Sequence, residues 1–464
     1  MGAINQAGHR GESTGQDGIQ NLRRRAAAII GLFLGTLLLM MDSSIVNVGL
    51  PTIAHDLHVP GPDAVLLVVV YNLALAMTLL PLATLGMIIG LRRLFLAGLS
   101  LYLIAALLSW FAHSLPVLLF MRTVQALGAA AALSVSSALV RSTYPRHLLG
   151  RGLGINTLAA AVGGAVAPVI GGFIVARVSW HWVFLAGAPL ACISLLTGRY
   201  LPDPDTTAHP FDKIGASLCA ATFGLLIFGL RCGTSVSNPA IPAVLLCAGA
   251  VTGFFLIRYE RSHPQPVLPV DLFRRPALSL SVAAAFCGYF ASTSIILALP
   301  FRLHSAGFSP TEIGEVILPY ALAATIFGPT AGVLSDRFSP TTLGTIGLGI
   351  AIIALLLLAH LPATPLDVAG PMALLGTGFG LFVAPNGRLI IGSAAPGRAA
   401  SASSLISTNR MMGQALGSTF VAALLTWGIW PSAPLAAAAL TTLAFGLSLA
   451  RRWVKPDDNP PASR

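Results

Sequence analysis

The sequence predicts an all-α polytopic membrane protein: two six-helix bundles plus two inserted helices, with fourteen transmembrane helices in all. Three observations predict it. Only 9% of the 464 residues are charged, against about 25% in ordinary soluble domains. Hydrophobic residues make up 55% of the chain, and mean hydropathy is +0.81. The apolar residues also fall into fourteen runs, each close to the ~20 residues a helix needs to cross a bilayer. A soluble, secreted, fibrous or disordered chain is excluded, because none of these keeps so little charge for its surface.

The elements follow in order. Residues 1–25 form a polar tail that ends in Arg23-Arg24-Arg25 and lacks the layout of a signal peptide. Runs 1 to 6 occupy 26–50, 64–88, 94–112, 115–140, 150–176 and 182–200, and make an N-terminal six-helix bundle over 26–200. Runs 7 and 8, at 213–231 and 240–258, form an inserted pair within 201–276. Runs 9 to 14 occupy 277–300, 311–334, 341–361, 367–387, 399–427 and 432–450, and make a C-terminal bundle over 277–453. A second polar tail covers 454–464. The turn after run 2, Leu85–Leu94, and the turn after run 10, Leu334–Leu343, sit at the same place in each bundle. That weak repeat implies two halves related by an axis along the membrane normal, with a substrate cavity between them.

An even number of spans puts both termini on one side. With the N-terminus inside, 22 of the 27 basic residues lie on the cytoplasmic side and three outside, Arg177, Arg231 and Arg302. This asymmetry sets both termini in the cytoplasm. It also accounts for the net charge of +11 without nucleic-acid binding, since the charge is spread over short loops and tails with no basic patch.

Charged residues inside the spans are the candidates for chemistry. Asp42 lies deep in run 1. A charged side chain at mid-bilayer costs about 2.5–3.5 kcal/mol on insertion scales, and burial disfavours its charged form. That is what a proton carrier needs. Arg122 lies inside run 4, three residues before Gln125 and so on the same helix face. Asp42 is its obvious partner. Arg410 in run 13 is the other cation within a span, placed nearer the cytoplasmic end. Glu315 sits with Glu312 at the outer end of run 10, where an acid favours a helix start. Run 5 carries Gly163, Ala167 and Gly171, spaced four apart, with Pro168 and Gly172. Such a stripe lets helices approach closely, and the proline can kink the helix.

Catalytic alternatives are weak. Only two lysines exist, Lys213 and Lys455, and neither belongs to a phosphate-binding loop. No HExxH zinc motif is present, and His55 and His58 read as solvated loop residues. The five cysteines are scattered and form no CxxC pair, as small packing residues do.

These motifs resemble the major facilitator superfamily, specifically its fourteen-helix drug:proton antiporter branch, over about residues 26–453. The stretch Met41-Asp42 to Ile53 looks like that branch's first-helix signature. Arg122, Gln125 and Gly128 match the family's span 4 motif, whose Arg is implicated in proton coupling. Gly163–Gly172 resembles the antiporter motif of span 5, with Ala167 where a Gly is usual. Trp180–Pro189 resembles the entry to span 6, with His181 and Gly187 in place of Arg and Asn. Phe211–Gly215 resembles the start of the inserted pair. One departure matters. The family's gating loop carries an Asp and an Arg where this chain has Met87 and Ile88, although Gly90, Arg92 and Arg93 remain. The second copy keeps Asp336 and Arg337.

The resemblance implies a proton-coupled secondary transporter that exports small organic or drug-like molecules from the cell, and not an enzyme. Protons would couple through Asp42, Arg122 and Glu315. Gln125, Gly128, Gly163, Pro168, Gly171, Gly172, Asp336, Arg337 and Arg410 would line or gate the substrate cavity. No metal and no cofactor beyond the proton gradient is expected. The partners are a small-molecule substrate, protons and membrane lipid, with no nucleic acid, and the unit is a monomer in the cell membrane. A narrow-specificity metabolite transporter and a non-transporting receptor or scaffold on the same fold are the alternatives.

Overall fold

The computed structural model describes residues 22–144, 149–203, 212–235, 238–262, 273, 275–362, 364–393 and 399–453. Both expected tails, apart from residues 22–25, lie outside the described residues, as do Phe211 and parts of the segments flanking the inserted pair. In hydrocarbon every backbone N–H and C=O must be paired within its own segment, so apolar runs of this length become helices. The described residues form fourteen long helical spans and contain no strand.

The first half comprises α1 (Leu22–Asp56), α2 (Leu66–Ile89), α3 (Leu91–Ser109), α4 (Leu115–Thr143) and α5 (Leu149–Arg177). Its sixth span, α6, is in two pieces, His181–Leu185 and Ala188–Gly198. The inserted helices are α7 (Lys213–Ser235) and α8 (Ala240–Ser262). The second half comprises α9 (Pro276–Ser305), α10 (Pro310–Leu334), α11 (Pro340–His360), α12 (Pro365–Gly392), α13 (Ala399–Thr426) and α14 (Ala433–Ala450). Thirteen of these spans are long and apolar enough to cross a membrane. Among the long spans α13 is the exception, because Asn409, Arg410 and Gln414 dilute its apolar run.

The two halves repeat one packing scheme. In the first, α1 packs on α5 and α6, α4 on α2 and α3, and α3 on α6. In the second, α9 packs on α13 and α14, α12 on α10 and α11, and α11 on α14. The repeat extends to single residues. Gly98 and Gly128 meet where α3 crosses α4, and a Cβ on either would stand 2.6 Å from the other's carbonyl oxygen. Gly347 and Gly378 meet in the same way where α11 crosses α12, at 2.5 Å. Each glycine sits at the same distance from its helix start as its counterpart. Close glycine crossings of this kind replace the hydrophobic drive that lipid cannot supply.

The halves meet along α5 with α10, α2 with α13, and α1 with α9. At the end of the bundle away from the chain termini, α5 and α10 touch reciprocally. Gly172 lies against the Pro310 carbonyl, and a Cβ on Gly314 would stand 2.6 Å from the Pro168 carbonyl oxygen. That end is closed. Helix α7 packs on α8, α2 and α13, and Arg231 near its end pairs with Asp63 at 3.1 Å.

Candidate functional site

Asp42 and Arg122 are brought together inside the first half. The Arg122 Nη1 donates to Asp42 Oδ2 at 2.8 Å, and Nη2 donates to the Asp42 carbonyl oxygen at 2.9 Å. Nη1 also donates to Gln125 Oε1 at 3.1 Å, across the one-turn spacing that the sequence predicted. The Tyr102 hydroxyl of α3 donates to Asp42 Oδ1 at 2.9 Å. The guanidinium lies over the Tyr71 ring, 4.0 Å from its centroid. Asp42 is 2% exposed, Arg122 1% and Gln125 0%. Both carboxylate oxygens accept a hydrogen bond. Arg122 Nε, Gln125 Nε2 and the Tyr71 hydroxyl have no hydrogen-bond partner.

Tyr102 was not singled out in the sequence. Room for its hydroxyl comes from Gly187, the residue that departs from the Asn the resemblance implies. A Cβ at Gly187 would stand 2.9 Å from the Tyr102 oxygen and would run into Leu38. His181, the other departure at that entry, stacks on Trp180 at 3.6 Å between centroids, and Trp180 Nε1 donates to Asp56 at 2.6 Å.

A cavity of about 270 Å³ lies between the halves. Ser44 and Asn47 of α1, Pro168 of α5, Tyr289 and Ser292 of α9, and Tyr320 of α10 are among its lining residues, with Gln414 of α13. Asp42 does not line it. Ser44 is two residues on and so faces nearly the opposite way around the helix. Gln125 and Gly128, expected at the cavity or its gate, are corrected to interior packing of the first half. Gln125 serves Arg122, and Gly128 serves the α3–α4 crossing. Gly163 and Gly171 press on the Leu37 and Ile45 carbonyls of α1, so the small-residue stripe packs α5 on α1, while Gly172 turns to α10.

Glu315 is exposed near the start of α10. There Glu312 forms a capping box with Ser309, and nothing connects Glu315 with Asp42. Asp336 pairs with Arg388 of α12, while Arg337 is exposed. The altered loop of the first half has a carboxylate after all. Asp203, just beyond α6, lies 3.3 Å from Arg92 and 3.9 Å from Arg93. It also lies against Gly90, whose φ of +105° is open to glycine. The carboxylate beside this loop thus comes from a distant segment of the chain.

Two repeated six-helix halves around a central cavity, with an ion pair buried inside one half, define a membrane transporter of the secondary class. The family model of the Major Facilitator Superfamily matches residues 32–418 and 281–464, and the chain belongs to that family. It is 39% identical over 410 residues to the uncharacterized transporter YebQ of Escherichia coli K12, covering 87% of this chain and 90% of that protein. It is 29% identical over 421 residues to the multidrug resistance protein Stp of Mycobacterium tuberculosis, covering 89% and 78% respectively. A solved bacterial homologue of the human lysosomal transporter Spinster, inward-facing and unoccupied, matches with a TM-score of 0.69 at 17% identity. The match covers 95% of this chain and 100% of that one, a likeness of fold.

Proposed function

We propose that this transporter is a proton-coupled exporter of small organic molecules, held in the cell membrane with both termini in the cytoplasm. The observation that carries the reading is the Asp42–Arg122 pair, buried in the half-bundle whose helix α1 also presents Ser44 and Asn47 to the cavity. A proton taken up by Asp42 weakens its hold on Arg122, and a rotation or slide of α1 passes that change to the cavity wall. The proton gradient supplies the energy. Multidrug resistance among the relatives supports an organic substrate. The 22-to-3 asymmetry of basic residues supports the orientation, with the closed end facing outward.

The test uses proteoliposomes loaded with the pH dye pyranine and challenged with organic acids, amides and amines. Wild-type protein should move protons on addition of at least one class, and the double variant Asp42→Asn/Arg122→Gln should not. Compound-driven proton movement that survives in the double variant, or is absent from wild type across all classes, removes this reading.

A further inference from the structure

The central cavity has an uneven electrostatic character. Its described lining contains no acidic and no basic side chain. The polar groups on its wall are hydroxyls and amides, among them Tyr289, Ser292, Tyr320, Asn47 and Gln414. A charge close to that wall along the chain belongs to Arg410. It stands one turn before Gln414 on α13 and hence on the same helix face. The helix contact confirms that direction, because Gly413, three residues on, packs directly against Tyr289 and Phe286 of α9. Helix α13 runs from the terminus-bearing end toward the closed end, so Arg410 stands on the open side of Gln414, at the mouth of the cavity.

Arg410 differs from the other arginines of the bundle. The buried ones among the described residues are Arg122, Arg231 and Arg451. Arg122 meets Asp42, Arg231 meets Asp63, and Arg451 is held by Ser281, Asn386 and Ser448. Arg388 meets Asp336. Arg410 is half-buried, and among the described residues no hydrogen bond or ion pair reaches it. A guanidinium within a membrane span carries a desolvation cost that a partner normally offsets. Here the residue lies on the helix face that carries Gln414 to a cavity whose wall has no carboxylate. On the cavity wall, the Asn47 oxygen is buried with no hydrogen-bond donor. A ligand that fills both vacancies brings an anionic group to Arg410 and a hydroxyl or N–H to Asn47. Its apolar body fits between them against Ile296, Ile317 and Phe379.

We infer that the central cavity takes amphiphilic organic acids, with the acid group on Arg410 at the mouth and a donor group on Asn47 deeper in. The cavity volume of about 270 Å³ lies just under the range of drug-sized sites, so the acids are small. An organic cation meets a like charge at the mouth and finds no carboxylate inside, so the site discriminates against it. This inference rests on the transport reading for its biological sense. The binding chemistry is testable apart from transport.

The experiment is equilibrium binding of three probes with one ring system: 2-naphthoate, 2-naphthamide and protonated 2-naphthylmethylamine. The full-length protein is held in nanodiscs of phosphatidylcholine, which carries no net charge, so an anionic headgroup does not compete. A parallel set of nanodiscs containing phosphatidylglycerol shows whether a lipid phosphate takes the same place, in which case naphthoate binding weakens there. Wild type should prefer the acid over the amide and the amine by about tenfold or more, the size of one charge-assisted hydrogen bond. Arg410→Gln should bring the three probes close together, and Arg410→Lys should restore much of the preference. Wild type alone decides the first arm, so it stands even if a variant fails to fold. An amine that binds as well as the acid, an acid that does not bind at millimolar concentration, or a preference that survives in folded Arg410→Gln overturns the inference. Arg410-dependent acid binding without proton-coupled flux keeps this site and removes the export reading. Proton-coupled flux of the amine does the reverse.

Discussion

Removing either partner of the Asp42–Arg122 pair leaves the other charge buried, and the cost follows from the geometry. Both side chains are 1–2% exposed, so solvent does not screen them and no discount for exposure applies. Breaking a buried pair from one side costs about 3–5 kcal/mol. Asp42→Asn and Arg122→Gln should each fall in that range, giving about 6–10 kcal/mol if the effects were independent. They are not independent. The double variant carries neither charge, keeps the shapes, and lets an amide of residue 42 meet an amide of residue 122 and the Tyr102 hydroxyl. It should lie within about 2 kcal/mol of wild type, a departure from additivity of about 4 kcal/mol or more. Unfolding in mixed micelles titrated with sodium dodecyl sulfate measures all four species. Single variants that each cost under about 1 kcal/mol, or a double variant equal to the sum of the singles, would refute the claim that the pair is a buried, mutually dependent unit.

Three further outcomes are expected. Gly314→Val places bulk where even a Cβ would stand only 2.6 Å from the Pro168 oxygen. It should hold the closed end apart, raising the labelling rate of a cysteine introduced at Ser292, in a background lacking the five native cysteines, by a reagent added on the side away from the termini; unchanged labelling counts against that closure. Gly187→Asn should push on Tyr102 and Leu38 and destabilise by about 1–3 kcal/mol through overpacking, shifting the pH profile of any proton-coupled flux; a thermal scan and a flux titration check the two halves of that statement. A reporter fused after Arg464 should be active only as a cytoplasmic fusion, and activity on the outer side would overturn the orientation read from the basic residues.

Composition and run length were enough to read the class of this protein, because a chain with so few charges has only the bilayer as its solvent. The depth of Asp42 and Arg122 was also legible, since a charge in an apolar run demands a partner and few were on offer. The facing of the helices was not. In a membrane, lipid and neighbouring helices are equally apolar, so a span can be apolar all round and its pattern does not show which side packs inward. Hence no pattern in the chain showed that Asp42 turns away from the cavity while Ser44 and Asn47 turn toward it. Nor did any pattern show that Tyr102 completes the carboxylate's hydrogen bonds in space left by Gly187. The pairing of Arg92 with Asp203 joins residues 111 positions apart, a distance that no local pattern spans. The Gly98–Gly128 and Gly347–Gly378 crossings did leave a signal, the same register from each helix start, but it means something only once the helix starts are known. Local polarity decides what enters the membrane. Close packing between helices, which depends on shape rather than polarity, decides which charges meet and which remain open to a ligand.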